Sequence, residues 1–322
     1  MNKTDEILKY LLKASDYVSG EEIASNFAIS RSAVWKMVRK LSESGIKIDS
    51  KPNKGYKIKE KVCFVNEVAI NSYLDDDFYK ISCFKELPST NTYLKEHKDD
   101  LESGTVVFAR YQSAGRGRMN RSFYSPLDTG LYFSILVKPN TLASSSIYLT
   151  VIAAISCLEG IKEALGIKLD IKWVNDLYKD GKKVGGILSE GSIDIDHNSL
   201  SSCIIGIGIN VCKPVSGFCQ ELDGIASYLV DKCDLNMVVS NILKAFKKYY
   251  LDYINGDYSF INIYKENQFI IGKRVESVNL ASGEKKIVTV LQVNDDCSLL
   301  VKEDNNTIYS INSGEVRLIV NN

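Results

Sequence analysis

The residues best suited to chemistry lie in one segment, from Gln112 to Pro126. Within it, Gly115-Arg116-Gly117-Arg118 alternates two residues that permit close backbone approach with two permanently charged guanidinium groups. Each guanidinium group can donate two parallel hydrogen bonds to the oxygens of a phosphate or a carboxylate. The segment therefore predicts a polyphosphate-binding loop. It matches neither the GxxxxGK(S/T) spacing of a Walker loop nor the GxGxxG spacing of a dinucleotide fingerprint. Taken alone, an ordinary surface turn is the alternative.

Four more segments combine glycine, lysine, asparagine and polar residues where strands turn into loops. They are Ser89-Thr90-Asn91, Lys172-Trp-Val-Asn-Asp-Leu-Tyr178, Lys183-Val-Gly-Gly-Ile-Leu-Ser-Glu190 and Gly206-Ile-Gly-Ile-Asn210. These segments are the other candidates for the site.

The composition is that of an ordinary globular protein, with 322 residues of which 45% are hydrophobic and 25% charged, enough for two or three domains. The most apolar stretch, Ile147–Leu158, is far shorter than the ~20 residues that span a bilayer and predicts a buried helix. The N-terminus lacks a secretory signal pattern, so we expect a cytoplasmic protein without membrane contact. Eight cysteines without a CxxC pair and two distant histidines argue against a zinc site or a disulfide framework.

A net charge of zero conceals a strongly basic segment from Arg31 to Lys59. Its nine lysines and arginines are accompanied by only two acidic residues, Glu43 and Asp49. This asymmetry predicts a face that binds a polyanion, and a solvated basic surface is the alternative.

Helical periodicity and capping residues predict three helices near the N-terminus. The first has an apolar face formed by Ile7, Leu8, Leu11 and Leu12. Ser19-Gly-Glu-Glu22 is a capping box for the second helix, and Ser30 caps the third, which ends at Gly45. Two short strands follow, Ile46–Ile48 and Gly55–Ile58, joined by a turn. The pattern predicts a winged helix-turn-helix domain over residues 1–62.

The third helix is the predicted recognition helix of this domain. The candidate DNA contacts are its cap and the polar face of the helix, namely Ser30, Arg31, Ser32, Trp35, Lys36 and Arg39. The wing adds Lys51, Lys54 and Lys57. A helical domain used only for protein contacts is the alternative, since an exposed Trp35 also suits packing.

The rest of the chain predicts two further domains. Residues 63–270 combine strands near 79–84, 105–110, 131–137, 170–189 and 202–211 with helices near 146–165 and 234–254, which predicts an α+β domain on a mixed sheet. Residues 271–322 contain strands separated by turns about a dozen residues apart, which predicts a small antiparallel barrel.

Taken in order, the motifs resemble the signature of biotin protein ligases. They are Gly115-Arg-Gly-Arg118 with Arg121 and Ser125-Pro126, then Lys172-Trp-x-Asn-Asp176, Lys183-x-x-Gly186 and Gly206-Ile-Gly-Ile-Asn210. With a winged helix in front and a small barrel behind, the chain is similar to the bifunctional type, in which the ligase also represses the biotin operon. The resemblance spans nearly the whole chain. It implies a class II synthetase-like central domain and an SH3-like C-terminal barrel.

The resemblance implies a two-step reaction. The carboxylate of biotin attacks the α-phosphate of ATP to give biotinyl-5′-AMP and pyrophosphate. A lysine of a biotin carboxyl carrier domain, such as that of acetyl-CoA carboxylase, then displaces AMP. Operator DNA and a homodimer in the adenylate-bound state are the other implied partners. A lipoate-type or octanoate-type protein ligase, and a ligand-sensing repressor without ligase activity, are the alternatives.

The same resemblance assigns residues to roles. The catalytic candidates are Lys183, Arg118 and Arg116. The candidates for binding biotin are these three residues together with Ser89, Thr90, Asn91, Gln112, Gly115, Gly117, Gly186 and Gly206. The candidates for binding ATP and the adenylate are the same three together with Arg121, Phe123, Asn175, Asp176 and Asn210. Asp176 is the candidate Mg²⁺ ligand, because a single carboxylate suits a magnesium ion that keeps most of its waters. It could instead deprotonate the acceptor lysine or orient Lys183.

Three positions depart from the family pattern. Asn120 stands where glycine is frequent, and we expect the turn to persist because asparagine enters left-handed conformations at modest cost. Phe123 replaces a common tryptophan and keeps a ring without the indole donor. Val174 replaces a frequent proline, which affects local rigidity more than chemistry.

Overall fold

The computed structural model describes residues 3–43, 45–59, 64–74, 77–194, 196–215, 217–280 and 282–312, apart from the side chain of residue 120, and the backbone of 316–320. The N-terminal part consists of α1 (Lys3–Lys13), α2 (Gly20–Asn26), α3 (Arg31–Glu43), β1 (Ile48–Lys51) and β2 (Gly55–Ile58). The two strands pair as an antiparallel hairpin. Three helices and a wing therefore confirm the predicted helix-turn-helix domain.

Serine caps start α2 and α3 as predicted. Ser19 Oγ accepts a hydrogen bond from Glu22 N at 3.0 Å, and Ser30 Oγ accepts one from Ala33 N at 3.2 Å. The Glu22 carboxylate accepts a hydrogen bond from Tyr10 Oη at 2.6 Å, so it links α2 to α1. The helices enclose an apolar core of their own, which includes Ile7, Leu8, Ile23, Val34 and Val38.

An eight-stranded mixed sheet forms the middle of the chain. Its strands are β3 (Lys80–Leu87), β4 (Thr105–Gln112), β5 (Leu131–Val137), β6 (Thr141–Leu142), β7 (Asp170–Lys172), β8 (Asp176–Lys179), β9 (Lys182–Asp194) and β10 (Ser199–Ile209). They are arranged in the order β3-β4-β5-β10-β9-β8-β7, with β6 beside β10. β3 and β4 are parallel, and the other pairs are antiparallel.

Helices pack against this sheet and join it to its neighbours. They are α4 (Glu67–Tyr73), α5 (Thr90–His97), α6 (Ser146–Leu165), α7 (Leu235–Ile254) and α8 (Phe260–Glu266). α4 contributes Ala69 to the N-terminal core and Ile70 to the main core. Leu94 of α5 packs on Leu136 and Ile204 of the sheet.

The predicted helix near residues 146–165 is confirmed as α6, which contains the apolar stretch Ile147–Leu158. α6 is buried continuously from Leu149 to Leu158. Among the residues that the structure describes, Ala143–Leu165 is one helical stretch long and apolar enough to cross a membrane. Most of its apolar window lies inside the protein, where α6 and α7 form one layer of the core.

The C-terminal part is a five-stranded antiparallel sheet. Its strands, β11 (Arg274–Asn279), β12 (Lys285–Val293), β13 (Leu299–Glu303), β14 (Ile308–Ile311) and β15 (Val316–Val320), follow the order β14-β13-β12-β11-β15. Buried residues of this sheet, such as Val275 and Leu299, join the main apolar core. The predicted domain boundary at residue 62 lies outside the described residues.

Candidate active site

The arginine-rich loop folds as a short hairpin. Phe123 N donates to Gly115 O at 2.8 Å, and Gly117 N donates to Arg121 O at 2.7 Å. At its tip, residues 118–120 form a single helical turn that contains a left-handed residue, Met119, with φ 57° and ψ 42°. The left-handed position is therefore one residue before Asn120, on which the sequence-based expectation was placed.

Gln112 holds the base of this hairpin. Its Oε1 accepts a hydrogen bond from Thr90 N at 2.9 Å, and its Nε2 donates to Ser125 Oγ at 3.0 Å. One side chain thus links the first turn of α5 to both ends of the loop. The Nε2 group carries a second N–H, so the predicted contact of Gln112 with biotin is compatible with both of these bonds.

A cavity of about 490 Å³ lies against the hairpin, a size typical of small-molecule sites. Residues from all five predicted segments line it, namely Ser89, Thr90, Asn91, Gln112, Arg116, Gly117, Arg118, Arg121, Phe123, Asn175, Asp176, Lys183, Gly186 and Gly206. Two predicted site residues, Gly115 and Asn210, are not among the described lining residues. Asn210 Nδ2 donates to Ser227 O at 3.2 Å, which fixes the chain that follows β10.

Positive charge dominates the lining of the cavity. Five cationic side chains accompany one carboxylate, that of Asp176, among the described lining residues; they are Arg116, Arg118, Arg121, Lys172 and Lys183. Burial lowers the pKa of Arg118 and of Lys172, because removal from water disfavours the charged form. An anionic ligand would restore the lost solvation of these cations. The cavity is therefore suited to carboxylate and phosphate groups.

Lys183 and Asp176 form the closest ion pair of the site. Lys183 Nζ lies 2.6 Å from Asp176 Oδ1, and both side chains remain partly exposed. The pair forms because β8 and β9 are antiparallel neighbours that place Asp176 opposite Gly186. Of the three roles considered for Asp176, the orientation of Lys183 is the one that this contact favours.

The predicted Mg²⁺ site rests on one carboxylate. Within the described part of the chain, no three His, Cys, Asp or Glu side chains converge as a metal site. Asp176 already accepts a hydrogen bond from Lys183. The residues fit a magnesium ion that is held chiefly by the phosphates of a nucleotide and by water, with Asp176 as its one protein carboxylate.

The hairpin is tied to the turn between β7 and β8. Arg118 Nη1 donates to Asn175 Oδ1 at 2.9 Å, and Asn175 Nδ2 donates to Ile187 O at 2.8 Å. Trp173, which belongs to one of the predicted segments, lines the cavity and donates from Nε1 to Cys297 O at 2.9 Å. The connection between β12 and β13 therefore contacts the turn that carries Asn175 and leads into β8 at Asp176.

Glu190 and Ser134 are candidate functional residues that the sequence did not assign. Glu190 Oε2 accepts from Arg116 Nη1 at 3.1 Å and from Asn91 Nδ2 at 2.9 Å. Ser134 Oγ donates to Asn91 Oδ1 at 2.6 Å and lies 2.7 Å from Thr90 Oγ1. The available signals were a serine inside an otherwise apolar strand, Leu131–Val137, and an acidic residue at the end of the Lys183 motif.

Two glycines of β10 leave room for side chains of the site. A Cβ at Gly206 would lie 2.1 Å from Asn91 Oδ1, and a Cβ at Gly208 would lie 2.6 Å from the Phe123 ring. Gly206 was predicted to contact biotin, and in the structure it accommodates Asn91. The Phe123 ring lines the cavity, as its aromatic character suggested.

The predicted DNA-binding residues of α3 form one exposed face, consisting of Arg31, Ser32, Trp35, Lys36 and Arg39. Trp35 is 52% exposed, and the guanidinium of Arg39 lies 5.6 Å from the centre of its ring. On the wing, Lys51 and Lys54 are exposed, whereas Lys57 pairs with Asp16 at 3.3 Å. The helix and the tip of the wing thus present cations on the surface that would face a duplex.

Comparisons with known proteins place the chain in a family. Residues 83–210 match the biotin/lipoate A/B protein ligase family, and residues 3–57 match an HTH domain. The bifunctional ligase/repressor BirA of Bacillus subtilis is 31% identical over 325 residues, 98% of this chain and 98% of that protein. The chain belongs to the bifunctional ligase/repressor family.

Two further relatives agree with this family assignment. The bifunctional ligase/repressor BirA of Escherichia coli is 31% identical over 62% of this chain and 61% of its own length. The structure of the Aquifex aeolicus biotin protein ligase in complex with biotin and ATP is similar with a TM-score of 0.64 and 26% identity. That similarity covers 75% of this chain and 99% of the other, so the family fold extends across the site.

Gly206→Ala is expected to weaken the binding of biotin by about tenfold, because the new methyl group displaces Asn91 from a buried polar network. Isothermal titration calorimetry with biotin measures the loss. Gly191→Ala on β9 is the matched control, since its Cβ would lie 2.8 Å from the terminal methyl of Leu200, which can move, and no closer than 4.0 Å to Ser202 O. Wild-type affinity in Gly206→Ala would contradict the role of this network.

Proposed function

We propose that the chain is an ATP-dependent biotin protein ligase, of the biotin–[acetyl-CoA-carboxylase] ligase type, that also represses transcription in response to biotin. The observation that carries the proposal is the set of five cations around one cavity, in a chain similar over 98% of its length to a ligase/repressor. The reaction brings a carboxylate to a triphosphate. Positioned cations cancel the repulsion between these anions and stabilise the charge that develops at phosphorus.

In the first step, a carboxylate oxygen of biotin attacks the α-phosphorus of ATP, and the bond to the leaving pyrophosphate breaks. In this proposal Lys183 contacts both the carboxylate and the α-phosphate, since one ammonium group donates three hydrogen bonds. Asp176 orients Lys183 through their 2.6 Å contact. Arg116, Arg118 and Arg121 hold the phosphate oxygens, and a bound Mg²⁺ would neutralise phosphate charge.

In the second step, the amine of an acceptor lysine attacks the acyl carbon of biotinyl-5′-AMP, and the bond to AMP breaks. The acceptor is a biotin carboxyl carrier domain. The adenylate is a mixed anhydride that water hydrolyses, so the hairpin must close over it until the acceptor arrives. The hydrogen bond between Arg118 and Asn175 is one contact that holds the hairpin against the turn between β7 and β8.

The polar residues at the base of the hairpin suit the other end of biotin. Ser89, Thr90, Asn91 and Gln112 surround one region of the cavity and provide donors and acceptors for a ureido ring. Apolar walls come from Trp173, Ile187, Leu188 and Ile207, which also line the cavity. Gly186 adds a wall without a side chain.

Several finer features are part of the same proposal. The central domain, residues 63–270, is class II synthetase-like, and the five-stranded sheet within residues 271–322 closes as an SH3-like barrel. Residues 1–62 form the DNA-binding domain. We place the protein in the cytoplasm, as a homodimer when the adenylate is bound. The similarity to bifunctional relatives over nearly the whole chain supports these assignments.

Transfer of labelled biotin to a carrier domain tests the ligase. We expect transfer that requires ATP and releases pyrophosphate, because the carboxylate must be activated before an amine can attack it. Labelled lipoate supplied in the same assay separates a lipoate-type ligase from a biotin ligase. Absence of transfer with both acids would reject ligase function.

Arg118→Gly is expected to release biotinyl-5′-AMP and to label proteins indiscriminately, because the hairpin loses its contact with Asn175 and one partly buried cation. Washout of radiolabelled adenylate should be at least about tenfold faster than in the wild type, the effect of losing one charge-assisted hydrogen bond. Arg274→Gly, at an exposed ion pair on the C-terminal sheet, is the control. Retention of adenylate in Arg118→Gly would contradict the gating role.

The repressor half of the proposal is linkage between adenylate and DNA. When the carrier domain is scarce, adenylate persists, stabilises the dimer and lets two winged helices contact a two-fold operator. We expect adenylate-dependent protection in footprinting on a duplex selected by the wild-type protein from a random pool. Equal protection without adenylate would remove the corepressor role.

A further inference from the structure

An ion pair outside the cavity joins the two ends of the arginine hairpin. Arg110 precedes Gln112 by two residues, and Asp128 follows Pro126 by two. Arg110 Nε lies 2.7 Å from Asp128 Oδ1, and Arg110 Nη2 lies 2.6 Å from Asp128 Oδ2. Such a fork fixes both distance and orientation, and this pair is only partly exposed. The pair therefore clamps the base of the hairpin from outside.

Phe64 contacts this ion pair from the side of the winged helix. The centre of its ring lies 4.0 Å from the guanidinium carbon of Arg110, within the range of a cation–π contact. On another side, the ring packs against Gly45, two residues after the end of α3, since a Cβ at Gly45 would lie 3.2 Å from Phe64 Cζ. The ring also packs against the apolar core of the N-terminal domain. One ring thus touches both the hairpin clamp and Gly45, whose backbone N–H donates to Ser42 O in the last turn of the recognition helix.

The backbone around Phe64 is fixed to the central domain. Asn236, in the first turn of α7, donates from Nδ2 to Phe64 O at 3.0 Å and accepts from Asn66 N at 2.8 Å. Asn66 in turn caps α4 by accepting from Val68 N and Ala69 N. Because the backbone of Phe64 is held in this way, a movement of Arg110 relative to the winged helix would act mainly on the Phe64 side chain.

We propose that Arg110 and Asp128 are positioning residues that brace the hairpin, and that Phe64 couples this brace to the orientation of the recognition helix. The inference rests on the proposed ligase/repressor function. When the adenylate orders the hairpin, the position of the clamp is fixed, and the Phe64 ring passes that constraint to Gly45 and α3. The resulting coupling is reciprocal, so operator binding also favours the ordered hairpin.

The test compares operator affinity with and without biotinyl-5′-AMP, on the selected duplex, for the full-length wild type, Phe64→Leu and Arg110→Met. In both variants we expect the adenylate-induced gain in affinity to fall by at least about fivefold, the lower end of typical coupling factors. Arg110→Met should also release adenylate faster. Arg110→Lys keeps a cation at the ring but loses the fork, so its gain should be intermediate.

Two matched variants control for general destabilisation. Arg274→Met removes another arginine–carboxylate pair, in which Nη2 contacts both oxygens of Asp304, and Phe78→Leu removes another ring beside a cation, Lys247. Both should keep the wild-type gain, and thermal melting identifies any variant that does not fold, in which case Arg110→Lys replaces Arg110→Met.

The outcomes separate the inference from the function on which it rests. A wild-type gain that persists in both Phe64→Leu and Arg110→Met overturns the coupling but leaves the proposed function intact. A wild-type protein that forms adenylate without any gain removes the repressor role and the coupling together. Failure to form adenylate removes the ligase role. A reduced gain in Phe64→Leu with pyrophosphate release unchanged supports the coupling, since simple loss of the site would reduce both.

Discussion

The structure depends on one constraint, which is to hold several cations close together until two anions arrive. Arg116, Arg118, Arg121, Lys172 and Lys183 line the cavity with a single carboxylate among the described lining residues. Their mutual repulsion and loss of solvation are unfavourable without a ligand. The ion pair between Lys183 and Asp176 offsets part of that unfavourable free energy. A bound carboxylate and polyphosphate would neutralise the remaining positive charge, and this neutralisation favours their binding. The excess of positive charge that destabilises the empty site is therefore what allows it to bind and activate anionic substrates.

The scaffold keeps these cations in place through contacts that do not use the cavity itself. Gln112 links the hairpin to α5, and Glu190 holds Arg116. The antiparallel neighbours β8 and β9 bring Asp176 to Lys183. Each contact lies within the mixed sheet or at its edge, and the buried layer formed by α6 and α7 supports that sheet. The packed core thus restricts the positions that the charged side chains can take.

Both flanking domains touch the segments that carry the charge. The C-terminal sheet accepts a hydrogen bond from Trp173, next to the turn with Asn175 and Asp176. Phe64, which packs against the core of the winged helix, contacts Arg110. A ligand that orders the hairpin therefore affects residues that contact both flanking domains. Such a continuous set of contacts can link ligand binding in the cavity to DNA binding.

Local sequence determined the elements and the identity of the charged groups. Serine caps, apolar periodicity and turn residues specified α2, α3, α6 and β5, because these signals act between near neighbours. The motif order indicated the family. Tertiary structure alone decided which partners the polar side chains take: Gly206 accommodates Asn91, Glu190 engages Arg116, and Gln112 is used within the hairpin. These contacts join residues far apart in the chain, so their geometry depends on strand order and packing, which no local pattern encodes.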